Sequence, residues 1–275
     1  MLQEIFPHQF DRSYPGRPPQ PQDLLVCLNG EQILLWDAPQ GLTLPTLSQW
    51  PDWGGITYGF SIDATAFFLT LQQPEQLPPH WGLYPLHILR NLQPQWLAFG
   101  AITGTQLLRW RESRRFCGRC GAPMAEHPTE RALRCPQCGL IEYPKISPAI
   151  IVAVTHGDQI LLAKAAYGSY PHWALIAGFV EVGETFEETV AREVLEEVGL
   201  QVCNIRYYKS QPWAFSDTEM IGFYADLAGS PQITLQKSEL SQARWFHREE
   251  IPPSVSDISI GNALIETFRA NRHPR

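Results

Sequence analysis

The sequence lacks any apolar run close to the roughly 20 residues that a helix needs to cross a bilayer, so no membrane partner is expected. Residues 1–23 also lack the basic and then apolar pattern of a secretory signal, and we therefore expect a cytoplasmic protein. Positive charge is scarce too, because 21 Lys and Arg oppose 28 Asp and Glu, for a net charge of −7. This balance argues against broad electrostatic binding of nucleic acid.

Cysteine is also sparse, at six residues in 275, but four of the six stand in two CxxC pairs: Cys117 with Cys120, and Cys135 with Cys138. This separation is typical of a tetrahedral zinc site with four thiolates. With all four positions filled by protein, the site is predicted to be closed and structural, with one zinc per subunit. A redox role for either CxxC pair is the alternative.

The region before residue 110 carries no catalytic motif. Residues 1–22 are rich in proline and predict an irregular arm. The segment 24–35 predicts a hairpin around Asn29-Gly30, 58–71 predicts strand, and 86–109 predicts helix. We therefore predict an N-terminal α+β domain over residues 1–112, followed by the zinc ribbon over residues 113–145.

The region from residue 146 to 275 is predicted to form the third domain. Patterns of apolar and β-branched residues predict strands at 149–155, 159–164, 202–212, 220–227 and 243–246, and a terminal helix at 260–269. Another helix is predicted after Thr185, which with Glu188 forms a capping box, and it ends at Gly199. This order fits an α+β fold or an α/β/α sandwich.

Three acids on that helix, Glu193, Glu196 and Glu197, are spaced so that their carboxylates crowd one face. Like charges at this spacing destabilise a bare helix by roughly 0.2–0.5 kcal/mol per pair. A hard divalent cation reverses the sign of this interaction, since Mg²⁺ prefers carboxylate oxygens, water and phosphates. An acidic, solvated surface helix is the alternative.

The spacing of the segment resembles the complete Nudix box: Gly178, five residues, Glu184, seven residues, then REVLEEVGL from Arg192 to Leu200. The resemblance implies a Nudix α/β/α sandwich and hydrolysis of a nucleoside diphosphate linked to another moiety, assisted by Mg²⁺ or Mn²⁺. It thereby selects the sandwich among the α/β folds.

A second motif narrows the substrate. SQPWAFSDT at 210–218 is similar to the SQPWPFPxS signature of the NADH pyrophosphatase branch, which also removes NAD caps from RNA, and the branch carries a Cys₄ insertion at the same place. Ala214 and Ser216 replace the usual prolines, which predicts a looser loop, and Thr218 replaces Ser but keeps a hydroxyl.

The residue types in this segment suit a nucleotide. Trp213 and Phe215 offer aromatic faces for a nicotinamide or adenine ring. Gln211 and Thr218 offer hydrogen bonds for ribose or phosphate. The alternative is that both aromatic rings belong to the core.

The resemblance also implies a set of site residues. Glu193, Glu197 and Glu239 would bind Mg²⁺ or Mn²⁺ together with the Ala177 carbonyl, and Glu196 would hold a metal or its water. Arg192 would orient glutamates through a bidentate ion pair. The substrate contacts implied are Glu130, Tyr143, Phe179, Ser210, Gln211, Pro212, Trp213, Ala214, Phe215, Ser216, Asp217, Thr218, Gly261 and Arg90.

Glu130 and Tyr143 would act from the neighbouring subunit, which implies a homodimer, and Phe179 would stack opposite Trp213. The reaction implied is hydrolysis of NAD(H) to NMN(H) and AMP, and of NAD-capped RNA to NMN and 5′-monophosphate RNA. Two alternatives stay open: a Nudix hydrolase for ADP-ribose, diadenosine polyphosphates or damaged nucleotides, and a zinc-ribbon RNA-binding protein without catalysis.

A local basic run has two interpretations. Its members are Arg109, Arg111, Arg114, Arg115 and Arg119. The favoured interpretation is a solvated face with ion pairs. The alternative is a contact to a phosphate-bearing partner, such as the body of an RNA.

Overall fold

The chain forms two compact units in a computed structural model that describes residues 1–50, 54–166, 172–254 and 257–274. The unit called N-terminal here contains residues 2–145 and 214–217, and the unit called C-terminal contains Met1 and residues 146–213 and 218–275. The cysteine ribbon belongs to the N-terminal unit. The prediction that it forms a separate domain at 113–145 stays a prediction.

The N-terminal unit has a mixed sheet and one long helix. Its strands are β1 (Phe10–Asp11), β2 (Leu24–Asn29), β3 (Gln32–Ala38), β4 (Gly41–Thr43), β5 (Thr57–Ile62), β6 (Thr65–Thr70) and β7 (Trp81–Pro85), and its helix is α1 (Gln95–Ser113). In the sheet these described strands follow the order β1-β5-β6-β2-β3-β4, and β7 pairs with β3. A short 3₁₀ helix, Leu86–Arg90, precedes α1.

The predicted hairpin is present, but its turn lies one residue later than expected. Asn29 pairs with Gln32, so the two loop residues are Gly30 and Glu31. Gly30 has φ +55°, a left-handed conformation that glycine adopts without steric cost. The Asn-Gly signal therefore located the turn and misplaced its centre.

Helix α1 lies directly against this sheet because it carries glycines on the contacting face. A side chain at Gly100 would meet the ring of Phe67, and one at Gly104 would meet Val26 and Leu69. The buried face of α1 thus depends on the absence of side-chain volume at these two positions.

The ribbon has little regular structure of its own. Its strands β8 (Ala125–Glu126), β9 (Leu133–Arg134) and β10 (Ile141–Glu142) pair antiparallel in the order β10-β9-β8. Strands of two residues bury too little surface to hold a fold together, so another constraint is required.

The C-terminal unit contains the box helix and a twisted sheet. Its elements are β11 (Ser147–His156), β12 (Gln159–Ala165), β13 (Ile176–Phe179), α2 (Phe186–Val198), β14 (Gln201–Trp213), β15 (Thr218–Ala228), β16 (Leu240–His247) and α3 (Ile260–Arg269). Within the described ranges the strand order is β14-β15-β11-β12-β16, with β13 on β11. β11 and β15 run parallel, and the other pairs are antiparallel.

Each face of this sheet carries one helix, which confirms the predicted α/β/α sandwich. Val152 and Phe223 point toward α2 and pack with Val194. Alternate residues point the other way, so Tyr224 packs with Leu264 of α3. The period-2 alternation of β-strands sorts the two cores.

The ends of α2 match the sequence prediction. The backbone N–H of Glu188 donates to Thr185 Oγ1 at 3.2 Å, and the Thr185 N–H donates to Glu188 Oε2 at 2.8 Å, which completes the capping box. Gly199 ends the helix with φ +69°. Among the residues that the structure describes, no helix has the length and apolar character needed to cross a bilayer.

Candidate functional site

The four paired cysteines come together as predicted. Their Sγ atoms all lie within 4.8 Å of one another, and the Cys117–Cys138 and Cys120–Cys135 sulfurs are 3.5 Å apart. A tetrahedral zinc with bonds of about 2.3 Å sets its sulfurs about 3.8 Å apart, so the cluster fits zinc closely.

The two halves of the ribbon use the same backbone bonds. Gly121 N–H donates to the Cys117 carbonyl at 2.9 Å, and Gly139 N–H donates to the Cys135 carbonyl at 3.0 Å. In each half a backbone N–H also approaches a cysteine sulfur: Arg119 N to Cys117 Sγ and Cys138 N to Cys135 Sγ, both at 3.4 Å.

These donors favour thiolate, which is the form that binds metal. Donation from the backbone N–H groups of Cys138 and Gln137 lowers the pKa of Cys135 to about 6. The matched turns therefore position sulfur and stabilise its negative charge.

Arg192 joins the loop that precedes α2 to the acidic face of α2. Its Nε lies 2.6 Å from Glu184 Oε1, and its Nη2 lies 2.9 Å from Glu184 Oε2. Nη1 reaches Glu193 at 2.8 Å and Glu196 at 3.1 Å. Hydrogen bonding to Arg192 holds the pKa of Glu184 at about 2, so this carboxylate stays charged.

Gly178 leaves room for the carboxylate of Glu193. A Cβ at position 178 would overlap the Glu193 carboxylate group. The glycine of the box therefore permits close approach of a charged side chain to β13.

Glu197 is buried, and no hydrogen bond to its side-chain carboxylate is found among the described residues. Burial raises its pKa to about 8, and the nearby charges of Glu193, Glu239 and Glu196 act in the same direction. Burial also raises the pKa of Glu193. Arg192 offsets the charge of Glu193 and Glu196 only, and a divalent cation would offset the charge of the group as a whole.

Glu239 reaches this group because its loop is tied to the end of α2. Gln236 N–H donates to the Glu197 carbonyl at 2.9 Å, and Thr234 N–H donates to the Val198 carbonyl at 2.8 Å. The Gln236 side-chain amide then donates to Glu239 Oε1 at 3.2 Å. This connection across about 40 residues of chain could not be read from helical spacing.

The glutamates interact electrostatically without forming a compact ligand set. In the described part of the chain, only the cysteines form a group of at least three metal-ligating residues within 4.8 Å. Glu193, Glu197, Glu239 and the exposed Ala177 on β13 remain the predicted Mg²⁺ or Mn²⁺ ligands.

Two side chains of the second motif lie in a different environment from the one expected. Gln211 is fully buried; its Nε2 donates to the Ile258 carbonyl at 2.8 Å, and its Oε1 accepts from Ile260 N–H at 2.6 Å. Thr218 is buried and its hydroxyl lies 3.4 Å from the Trp213 carbonyl. Both contacts are internal to the C-terminal unit, where Gln211 fixes the start of α3.

The tip of the motif belongs to the N-terminal unit. Arg109 donates to the Ala214 carbonyl and, at 2.5 Å, to Asp217 Oδ1. The Arg90 guanidinium lies 4.6 Å from the centre of the Phe215 ring. This contact was not expected, because Arg90 was predicted to touch substrate.

The other predicted substrate residues are more open. Tyr143 is 58% exposed and donates from its hydroxyl to Glu130 Oε2 at 2.7 Å. Phe179 is 56% exposed at the end of β13. Ser210, Pro212 and Ser216 are also exposed, Trp213 is half-buried, and Gly261 stands in the first turn of α3 close to Ile151.

The basic run is largely committed to ion pairs. Besides Arg109 with Asp217, Arg111 is paired with Glu126 at 2.8 Å and is almost fully buried. Arg114 lies 3.9 Å from Glu142. The ion pairs agree with the favoured interpretation, but Arg111 is buried and Arg109 is half-buried, and only Arg115 and Arg119 lack a carboxylate partner among the described residues.

A hollow of about 330 Å³ lies elsewhere in the C-terminal unit. It is lined by Thr155, His156, Gly157, Arg206, Asp226, Leu227, Arg248, Asn271 and His273. Arg206 spans Asp226 with two bonds of 2.8 and 3.0 Å. None of the predicted site residues lines this hollow. The candidate site is therefore identified by the side chains of the box and not by this cavity.

Comparison with known proteins agrees with both motifs. The family model described as NUDIX domain matches residues 145–263, and the one described as NADH pyrophosphatase zinc ribbon domain matches residues 112–143. A protein from Pseudomonas aeruginosa named NAD-capped RNA hydrolase NudC is 39% identical over 207 residues, which cover 75% of this chain and 73% of that protein.

A protein of the same name from Stutzerimonas stutzeri is 44% identical over 61% of this chain and 60% of its own length. The crystal structure of a NUDIX hydrolase from Nitrosomonas europaea is 27% identical, with a TM-score of 0.50, over 58% of this chain and 94% of that one. The α/β/α sandwich, the acidic helix α2 and the cysteine ribbon are together typical of one class of hydrolases. The chain belongs to the Nudix family, in the branch with the NADH pyrophosphatase zinc ribbon.

The ribbon geometry predicts the effect of losing one sulfur. Cys135→Ser is expected to lower bound zinc from about one ion per chain to nearly none, since a closed site loses one of its four ligands. Elemental analysis of the purified protein measures this. Cys203→Ser, an exposed cysteine outside the cluster, is the control, and equal zinc in both variants would contradict the assignment.

Because the buried Glu197 carboxylate has no hydrogen-bond partner among the described residues, we expect removal of its charge to stabilise the protein. Without added Mg²⁺ or Mn²⁺, Glu197→Gln is expected to raise the free energy of unfolding at pH 8 by roughly 1–3 kcal/mol, because a buried unpaired charge is removed. The pKa of Glu197 is 4.5 unfolded and about 8 folded. The wild-type protein therefore loses stability as pH rises through this interval, and the variant does not.

Urea denaturation between pH 5 and 8 measures that difference, with the exposed Glu249→Gln as control. A constant difference between wild type and Glu197→Gln over this range would show that Glu197 is not a destabilised buried acid.

Proposed function

We propose that this protein hydrolyses the pyrophosphate of NAD(H) to NMN(H) and AMP, and removes NAD caps from RNA to give NMN and 5′-monophosphate RNA. The observation that carries the proposal is the group of glutamates around buried Glu197, joined in one chain to the cysteine ribbon. The curated relatives named NAD-capped RNA hydrolase NudC support it.

The reaction is proposed as attack of water on one phosphorus, with cleavage of the bond from that phosphorus to the bridging oxygen. Bound Mg²⁺ or Mn²⁺ would neutralise the phosphates and lower the pKa of the attacking water. Glu193, Glu197 and Glu239 would hold the ions, with the Ala177 carbonyl as a further ligand. Glu196, which is exposed, would hold an ion or its water.

Arg192 and Glu197 have separate roles in this proposal. Arg192 holds Glu184, Glu193 and Glu196 at hydrogen-bond distance and so fixes the acidic face before substrate arrives. Glu197 has no such partner among the described hydrogen bonds, and its carboxylate is available to an ion and, through it, to the water that reacts.

Recognition of the dinucleotide is assigned to the second motif and to a partner subunit. Trp213 and Phe179 would contact the rings, and Glu130 and Tyr143 would contact substrate from the neighbouring chain of a homodimer. The 2.7 Å bond between Tyr143 and Glu130 supports a joint role, because it presents the exposed pair as one unit. Cytoplasmic residence is proposed with it, as the thiolate site needs reducing surroundings.

Glu197→Gln tests the reaction directly. The variant is expected to fold, keep its zinc and lose turnover of NADH by a factor of roughly 10²–10⁴, because it lacks the charge that binds the ion. Products are separated by chromatography with either Mg²⁺ or Mn²⁺ present, for NADH, ADP-ribose, diadenosine polyphosphate and NAD-capped RNA.

Glu249→Gln is the matched control for this assay. Hydrolysis of NADH by Glu197→Gln at near the wild-type rate would refute the assigned role. Faster wild-type turnover of ADP-ribose or diadenosine polyphosphate than of NADH would favour the other Nudix activity, and RNA binding without any product would favour the non-catalytic alternative.

Mixing two inactive variants tests the partner contact. If Tyr143 acts across the dimer, Tyr143→Ala and Glu197→Gln chains together rebuild one complete site per heterodimer. Co-expression is expected to recover about a quarter of wild-type activity, since about half of the randomly formed dimers are mixed. Activity that stays at the level of the separate variants would contradict the contact.

A further inference from the structure

Strand β15 carries two acids outside both motifs: Asp226, which is paired with Arg206, and Glu219, which no arginine or lysine is found to pair among the described residues. Glu219 follows Thr218 directly and precedes the apolar stretch from Met220 to Tyr224. The side chain is half-buried. Burial raises the pKa of Glu219, and a hydrogen bond from the Ser210 side chain opposes that shift.

The register of the sheet places Glu219 on the face that carries α2. Ile221 and Phe223 belong to the core on that face, and residues two apart along a strand share a face. Ser210 pairs with Ile221, so it lies on the same face. Pro212 pairs with Glu219 across β14.

The same register relates Glu219 to the acids of the box. Ile150 of β11 pairs with Ile221 on one side and with Gly178 of β13 on the other. The carboxylate of Glu193 lies against Gly178. Glu219 is two residues along and two strands across from Gly178, which places their Cα atoms roughly 12 Å apart.

That separation suits a dinucleotide lying over the sheet with its phosphate bridge beside Glu193. At this position the carboxylate accepts hydrogen bonds and repels phosphate. Among the parts of a dinucleotide, the ribose hydroxyls are donors without charge, and acids bind ribose hydroxyls in other dinucleotide sites. The hydroxyl of Ser210 satisfies part of the carboxylate and leaves further acceptor capacity.

We propose that Glu219 is a specificity residue that accepts a hydrogen bond from a ribose hydroxyl of the bound dinucleotide. The inference rests on the proposed function. It assigns to Ser210 the orientation of Glu219, and it explains a half-buried acid on the sheet face where Ile221 and Phe223 pack into the core.

The experiment combines enzyme variants with substrate analogues. Wild type, Glu219→Gln and Glu219→Leu are assayed with NADH and with two deoxy analogues, one lacking a hydroxyl on the adenosine ribose and one on the nicotinamide ribose. Loss of one hydroxyl is expected to lower kcat/KM of wild type roughly 10- to 100-fold, chiefly through KM. With the same analogue, kcat/KM of Glu219→Leu is expected to fall less than about threefold relative to NADH.

The affected analogue identifies the ribose. If it is the adenosine ribose, Glu219→Leu also discriminates less than wild type against NADPH, whose 2′-phosphate the carboxylate repels. Glu219→Gln, which keeps one acceptor, is expected to fall between the two. Glu249→Leu is the control and keeps the wild-type pattern.

Equal penalties in wild type and Glu219→Leu for both analogues would overturn the inference while leaving NADH hydrolysis intact. A wild-type enzyme that does not hydrolyse NADH would overturn the proposed function, and the role of Glu219 with it.

Discussion

Repulsion among carboxylates is the constraint on which the functional end of α2 depends. Arg192 offsets it for Glu184, Glu193 and Glu196, all of which its guanidinium contacts. Glu197 lies inside the same group without that contact, and burial, followed by the charges of Glu193, Glu239 and Glu196, raises its pKa strongly. Ionised Glu197 is therefore a buried negative charge that no described side chain neutralises, and a cation bound beside it would offset the cost of that ionisation.

The elements around α2 position these acids. The capping box starts α2, Gly199 ends it, and Gly178 brings β13 close to the Glu193 carboxylate. Backbone bonds from Thr234 and Gln236 then fasten a distant loop to the last turn of the helix. These contacts keep Glu193, Glu197 and Glu239 close enough for their charges to interact, while Glu196 stays exposed.

Much of this was predictable from the sequence because it depends on local rules. Patterns of apolar and β-branched residues identified β11, β12, β14, β15 and β16 and both helices of the sandwich, and cysteine spacing identified the ribbon, whereas β13 was not predicted. The turn at Gly30 was misplaced by one residue, because Asn-Gly fixes the neighbourhood of a hairpin loop and the register of β2 with β3 fixes its centre.

What was not predictable depends on contacts between distant segments. Gln211 in a loop motif looks like a ligand to substrate, yet the pleat of β14 turns it toward α3, where Ile258 and Ile260 use both ends of its amide. Arg109 looks like one of several surface cations until Asp217 is seen beside it. Residue type gives hydrogen-bonding capacity, and only the tertiary fold decides which partner uses it.

Strand β14 places Ser210 and Pro212 on one face of the sheet and Gln211 on the other. The number of residues in this segment therefore decides which side chain points to which face. A substitution at the tip, such as Ala214, leaves this alternation of faces unchanged. One inserted or deleted residue between Tyr208 and Trp213 would instead move Gln211 and Ser210 to opposite faces from those they occupy now. The number of residues in this segment is therefore more tightly constrained by the pleat than the residue types at its tip.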